Sequence, residues 1–127
     1  MIDHVSIGVR DLAASQRFYD PVLATIGLRK LAERKDTIGF GKTYPEFWLN
    51  ARPALATTGQ DSGVHVCLRT RGRQSVDAFH ATALAAGASD DGAPGYRPGY
   101  SDQYYAAFVR DPEGNRIEVV TFIDPAA

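Results

Sequence analysis

Two histidines and one glutamate stand inside short apolar segments of this chain. His4 opens the segment HVSIGV, His65 lies in VHVCL, and Glu118 lies in RIEVV. Segments of this length and composition are typical of β-strands. A carboxylate is costly to bury unless it is paired or binds a cation. Two imidazoles and a carboxylate that converge on one point can bind a divalent cation and leave positions open for substrate.

Length and composition predict one ordinary globular domain that spans residues 1–127. The formal net charge of −1 gives no support for binding to nucleic acid or to a membrane surface. A single cysteine excludes an internal disulfide and suits a reducing compartment. No signal peptide is recognisable, and no apolar run approaches the ~20 residues of a membrane span. We therefore expect a cytoplasmic location.

The two halves of the chain resemble each other. His4 and His65 are 61 positions apart, and Phe18 and Phe79 keep the same offset. In each half a strand-like run is followed by a helix-like stretch, a glycine and further β-like segments. An internal repeat of this kind predicts two copies of one supersecondary unit.

Each half predicts one βαβββ module, with module 1 at residues 1–56 and module 2 at residues 62–127. The helices are expected at residues 12–26 and 75–86, from their apolar periodicity. Residues 89–101, rich in glycine and proline, are expected to form a loop or a poorly regular strand. The predicted fold class is therefore α+β.

Three local signals refine the helices. Asp11 is a plausible N-cap of the first helix, and Gly87 suits the position just after the second. Pro21 falls inside the first helix and predicts a kink or a short restart there.

Strand alternation places the chemical groups on defined faces. His65 shares a face with Cys67 and Arg69, and His4 shares one with Ser6. If the two modules surround a common cleft, the first strand of each supplies a histidine and the last strand supplies Glu118.

The segment FVRDPEGNRIE, residues 108–118, resembles the DP-x-G-x-x-x-E ending of the vicinal-oxygen-chelate superfamily, also called the glyoxalase/bleomycin resistance protein/dioxygenase superfamily. The resemblance covers nearly the whole chain. It implies curved mixed sheets that form a cup, with His4, His65 and Glu118 as ligands of a divalent metal ion. Zn²⁺, Mn²⁺, Fe²⁺, Ni²⁺ and Co²⁺ all suit such ligands. Many members bring two chains together through these sheets, so a homodimer is expected.

One position departs from the glyoxalase I branch of that superfamily. The branch carries a further metal-binding glutamate in the last strand of the first module, and Trp48 stands at that position here. A site with three protein ligands and water is therefore expected. Glu46 shares the parity of Trp48 and could supply a second carboxylate, although Pro45 weakens the strand prediction.

Aromatic side chains are candidates for the walls of the cup. Tyr104 and Phe108 alternate toward the turn before Glu118, and by the resemblance they line the cup. Tyr104 is the candidate general acid or hydrogen-bond donor, with a packing role as the alternative. Trp48 is either a wall of the substrate pocket or part of the core.

Three further side chains have both a functional and an ordinary interpretation. Cys67 could be a reactive thiol that meets substrate, but a small buried packing residue is favoured. Arg69 could bind a substrate carboxylate or phosphate at the rim, or end a solvated strand. His80 lies on a helix beside the apolar stripe, so a surface role is expected.

The function favoured by these residues is a metal-dependent lyase or isomerase, similar to lactoylglutathione lyase, that abstracts a proton next to a carbonyl of a small oxygen-rich substrate. The base could be Glu118, Glu46 or a metal-bound hydroxide. Ring-cleaving dioxygenase chemistry and thiol transfer to an antibiotic epoxide remain open. The branch of the superfamily that performs this thiol transfer has a tyrosine at the position of Phe108. The competing interpretations are a protein that sequesters a bleomycin-type drug without metal, and a subunit that only packs against partners.

Overall fold

A computed structural model describes residues 1–56 and 61–127, which form two four-stranded sheets and two helices. The elements in chain order are β1 (Val5–Val9), α1 (Leu12–Ala24), β2 (Arg29–Glu33), β3 (Thr37–Gly41), β4 (Pro45–Ala51), β5 (Val66–Arg69), α2 (Arg73–Ala85), β6 (Ser89–Tyr96), β7 (Tyr104–Arg110) and β8 (Arg116–Phe122).

Both sheets follow the same topology. Their strand orders are β1-β4-β3-β2 and β5-β8-β7-β6. The first strand of each module pairs in parallel with the last, and the remaining pairs are antiparallel. The predicted α+β fold of two βαβββ modules with mixed sheets is therefore confirmed.

The helix termini match their local sequence signals. The side chain of Asp11 accepts a hydrogen bond from the backbone N–H of Ala14 at 2.9 Å, which confirms it as the N-cap of α1. Gly87 follows α2 with φ 108°, a conformation that favours glycine. Pro21 lies within one helix and causes no restart, so that alternative was wrong. Within the described residues, no helix is both long and apolar enough to cross a membrane.

One hydrophobic core runs through both modules. Each helix covers one face of its own sheet, and α1 also contacts α2. Alternation along the strands selects the core face, since Phe47 and Leu49 are fully buried while Trp48 between them is not. The largest fully buried side chains are Tyr19, Phe40, Phe47, Phe79, Leu23, Leu49 and Ile117. The opposite face of each sheet remains open to carry polar and aromatic groups.

The turn between β7 and β8 binds the first module by polar contacts. Tyr19 of α1 donates a hydrogen bond to Oδ2 of Asp111 at 2.7 Å, inside the core. Burial raises the pKa of both groups. Glu113 accepts hydrogen bonds from the backbone N–H groups of Arg10 at 2.7 Å and Asp11 at 2.9 Å. The turn therefore positions the start of α1.

The structure corrects the prediction for His80. This residue is buried, and its Nε2 lies 3.0 Å from Oδ1 of Asp90. Asp90 belongs to β6, which forms a strand whose register shifts on either side of Gly92. The glycine-rich segment is thus an irregular strand over Ser89–Tyr96. Its Asp90 provides a hydrogen-bond partner for the ring of His80, which was expected at the surface.

Candidate functional site

A buried carboxylate marks the open face of the second sheet. Glu118 points away from the core-facing Ile117 and Val119, yet it is only 3% exposed. Its Oε1 lies 3.0 Å from Nε2 of His65, and its Oε2 accepts a hydrogen bond from the hydroxyl of Tyr104. We call these three residues, with the adjacent Cys67, the Glu118 centre.

Strand register explains how these residues meet. Cys67 of β5 pairs with Glu118 of β8, which places His65 two residues earlier on the same face. On the other side of β8, Phe108 of β7 pairs with Glu118. Tyr104 shares the parity of Phe108 and extends along the sheet to reach the carboxylate. The ring of Phe108 lies 6.5 Å from that of His65 and borders the centre.

Two groups of the centre are held in their protonated forms. Desolvation and the hydrogen bond to Glu118 raise the pKa of Tyr104, so its hydroxyl remains a donor at neutral pH. Desolvation of the sulfur and the charge of Glu118 raise the pKa of Cys67 to about 12. The residue as a whole is exposed on the open face, so the predicted buried packing role was wrong. A thiol with this pKa is a weak nucleophile at neutral pH.

The Glu118 centre fits two ligands of a divalent cation. Ligand atoms of histidine and carboxylate lie about 2.0–2.2 Å from such a cation. Two ligands at right angles are then about 3 Å apart, and the observed separation of Nε2 and Oε1 is 3.0 Å. Tyr104 on the second oxygen is the kind of outer partner that fixes a ligating carboxylate.

The third predicted ligand, His4, is not part of this arrangement. Its Nδ1 lies 2.7 Å from Oδ1 of Asp3, and its side chain is half exposed. Among residues 1–56 and 61–127, no group of three or more His, Cys, Asp or Glu side chains is positioned to hold a metal ion. One chain therefore assembles His65 and Glu118, and a role for His4 as a ligand stays a prediction.

His4 instead borders an open cavity of about 490 Å³ on the first sheet, together with Trp48 and Asn50. The indole of Trp48 packs so closely on Gly39 that a Cβ there would lie 2.9 Å from it. The guanidinium of Arg34 lies 5.2 Å above the same ring. Trp48 is therefore a fixed wall of this cavity and not part of the core.

Two other predicted residues lie further from the carboxylate. Glu46 is exposed on β4 of the first sheet, so it belongs to a different sheet from Glu118. Its role as a base stays a prediction. Arg69 is exposed at the end of β5, with its guanidinium 4.7 Å above the ring of Phe122.

An ion-pair network beside the centre was not predicted. Arg116 binds Asp91 at 3.1 Å and also pairs with Asp61. These residues line a cavity of about 300 Å³ together with His65 and Phe108. The parity that Arg116 shares with Glu118 placed it on this face, but its acidic partners follow from tertiary structure alone.

Comparisons with known proteins agree with this architecture. The family model described as Glyoxalase/Bleomycin resistance protein/Dioxygenase superfamily matches residues 1–119. A glyoxalase/bleomycin resistance protein from Albidiferax ferrireducens T118 is 32% identical, with a TM-score of 0.82 over 94% of this chain and 97% of that chain. A glyoxalase/bleomycin resistance protein/dioxygenase family enzyme from Burkholderia phytofirmans PsJN is 25% identical, with a TM-score of 0.70 over 95% and 98%.

The fosfomycin resistance protein FosX from Listeria monocytogenes shares the fold, with 12% identity and a TM-score of 0.69 over 94% of this chain and 91% of that chain. No curated protein matches the chain. The family match nevertheless extends over both modules and ends just after Glu118. The chain belongs to the glyoxalase/bleomycin resistance protein/dioxygenase superfamily.

Proposed function

We propose that this chain is a metal-dependent enzyme that acts on a small substrate with a carbonyl or two adjacent oxygens. The observation that carries the proposal is the buried carboxylate of Glu118, 3% exposed, with His65 on one oxygen and Tyr104 on the other. Nε2 of His65 and Oε1 of Glu118 hold a divalent cation in this proposal. The same pair occupies the face of the sheet that is open to substrate.

His4 is the third ligand, and a second copy of the chain supplies it in a homodimer. In its own chain His4 pairs with Asp3 and borders the cavity of Trp48, which leaves the Glu118 centre with two ligands. A symmetric dimer that places the first sheet of one copy over the second sheet of the other builds two equivalent sites.

The chemistry favoured is proton abstraction next to a carbonyl, as in a lyase or isomerase. The cation, when bound, acts as a Lewis acid that stabilises negative charge on the substrate oxygens. Tyr104 fixes Oε2 of Glu118 by donating a hydrogen bond to it. Glu118 is also the favoured acceptor of the substrate proton, because it is the buried carboxylate at the centre, whereas Glu46 is exposed. Phe108 and, in the dimer, Trp48 of the second copy are apolar walls that limit water around the reacting atoms.

Metal analysis of protein purified without chelator tests this function. We expect about one equivalent of a divalent ion per chain, and its loss in His65→Ala and Glu118→Ala. His80→Gln is the matched control, since His80 also lies 3.0 Å from a carboxylate but outside the centre. Folded wild-type protein that holds no divalent ion, even after addition of excess metal, would contradict the proposal and favour metal-independent sequestration of a small molecule.

Mixing two inactive variants tests the shared site. His4→Ala and His65→Ala each lack one ligand in both sites of a homodimer. If the ligands come from different chains, heterodimers of the two variants regain one complete site, so an equal mixture recovers roughly a quarter of the wild-type metal content. No recovery after verified subunit exchange would show that His4 does not act across chains.

A further inference from the structure

A second cavity beside the second sheet, at the C-terminal ends of β5 and β8, collects positive charge. It has a volume of about 420 Å³, and its lining includes Lys42, which follows β3, and the pair Arg69 and Arg71 at the end of β5. We call it the basic cavity. None of its lining residues is acidic. In the part of the chain that the structure describes, Lys42, Arg69 and Arg71 form no ion pair.

This concentration of charge is local. The chain as a whole carries a formal net charge of −1. Arg69 and Arg71 are neighbours in module 2, and the fold brings Lys42 of module 1 to them. Three like charges around one cavity repel each other, and an oxyanion among them removes that repulsion while it accepts charge-assisted hydrogen bonds.

We propose that the basic cavity binds an oxyanion group of the substrate, a phosphate or a carboxylate. Guanidinium groups bind both chemistries through paired N–H donors. The hydroxyl of Thr70 and the side chain of Lys42 provide additional donors at the same cavity. The role of this group as part of a substrate rests on the proposed function, whereas the binding of the anion itself does not.

An aromatic floor connects the basic cavity with the Glu118 centre. The guanidinium of Arg69 lies 4.7 Å above the ring of Phe122, which lines the cavity. That ring meets the ring of Tyr104 edge-on at 5.3 Å, and Tyr104 donates to Glu118. One face of the second sheet therefore carries a continuous series of contacts that runs from Arg69 through Phe122 and Tyr104 to Glu118.

This distance constrains the substrate. Phe122 and Glu118 are four residues apart on β8, which corresponds to about 13 Å along a strand. A substrate that occupies both places is elongated, because its oxyanion and the oxygens that reach the centre lie at the two ends of this stretch of β8. Its apolar middle section would lie on the rings of Tyr104 and Phe122. Short neutral carbonyl compounds would leave the basic cavity empty.

Titration with inorganic phosphate, followed by backbone amide shifts at constant ionic strength, tests the proposal. We expect saturable shifts centred on Thr70 and Gly72, and a dissociation constant at least about tenfold weaker in the double variant Arg69→Gln/Arg71→Gln. A parallel titration with glutarate, a dicarboxylate, distinguishes a carboxylate ligand from a phosphate ligand. Tighter phosphate binding assigns a phosphate, tighter glutarate binding assigns a carboxylate, and equal affinity supports a general oxyanion site.

Two controls make the outcome decisive. Arg17→Gln/Lys35→Gln changes the charge by the same amount at exposed residues that do not line the cavity, and it should leave phosphate binding unchanged. His65→Ala should lose metal but keep phosphate binding, which separates failure of the proposed metal site from failure of this inference. Shifts spread over all basic residues, or equal weakening in both double variants, would overturn the proposal.

Discussion

The hydroxyl of Tyr104 should set the metal affinity of the Glu118 centre. Tyr104→Phe removes one hydrogen-bond donor from a carboxylate that is 3% exposed, and water has little access to replace it. A hydrogen bond to a charged group contributes about 1.5–3 kcal/mol. Since about 1.4 kcal/mol is a factor of ten, we expect a metal dissociation constant about 10–100-fold weaker. Calorimetric titration of metal-stripped protein with Zn²⁺ or Mn²⁺ measures this change.

Tyr100→Phe is the matched control for this experiment. The ring of Tyr100 packs edge-on against that of Tyr104 at 5.0 Å, and it is 68% exposed. Its hydroxyl forms no hydrogen bond with the described residues. We expect wild-type affinity in this variant. Equal affinities of Tyr104→Phe and wild type, with both folded, would refute the idea that the phenol orients Glu118.

Three further predictions concern packing and stability. Tyr19→Phe removes the buried donor to Asp111 and should lower the free energy of unfolding by about 1.5–3 kcal/mol, or about 6–11 °C in Tm; a calorimetric loss below about 2 °C would contradict the role of this bond. Gly39→Ala should push the single indole of Trp48 toward water and shift its fluorescence emission to longer wavelengths, and an unchanged spectrum would show that no displacement occurs. Desolvation raises the pKa of Glu113, but hydrogen bonds from backbone N–H groups outweigh it and lower the pKa below its ordinary 4.5. The stabilising contribution of Glu113 is therefore complete above pH 4.5 and is lost as the pH falls through its pKa in the folded state. The Tm of the wild type should consequently fall more in acid than the Tm of Glu113→Gln. Profiles of Tm against pH that run parallel in the two proteins would refute this linkage.

The module architecture was predictable because local signals repeat along the chain. The equal offset of His4 and His65 predicted equivalent strands, and Asp11 and Gly87 marked helix ends that the structure confirms. Alternation also placed His65 on one face with Cys67, and the pairing of Cys67 with Glu118 brings that face to the carboxylate. Each of these inferences depends on residue periodicity or on a turn conformation. The local sequence encodes both, whatever the segment contacts in the folded chain.

The failures occur where a long-range partner decides the outcome. His80 is buried because Asp90, on an irregular strand, satisfies its ring. Cys67 is exposed on the open face of β5, and a small residue type does not reveal which face of a strand is covered. The relation of His4 to Glu118 is a different case, because it depends on how sheets are placed and strand parity fixes only the face within each sheet. The ligand role of His4 stays a prediction.

The contacts of the β7–β8 turn with α1 make the two halves unequal despite their shared topology. Asp111 and Glu113 accept hydrogen bonds from the first module. Among the described residues, the corresponding turn before β4 forms no equivalent hydrogen bonds with the second module. The first half alone would expose the phenol of Tyr19 and two unsatisfied amides at a helix entrance. These contacts couple the two modules, so we expect them to unfold together in one cooperative step.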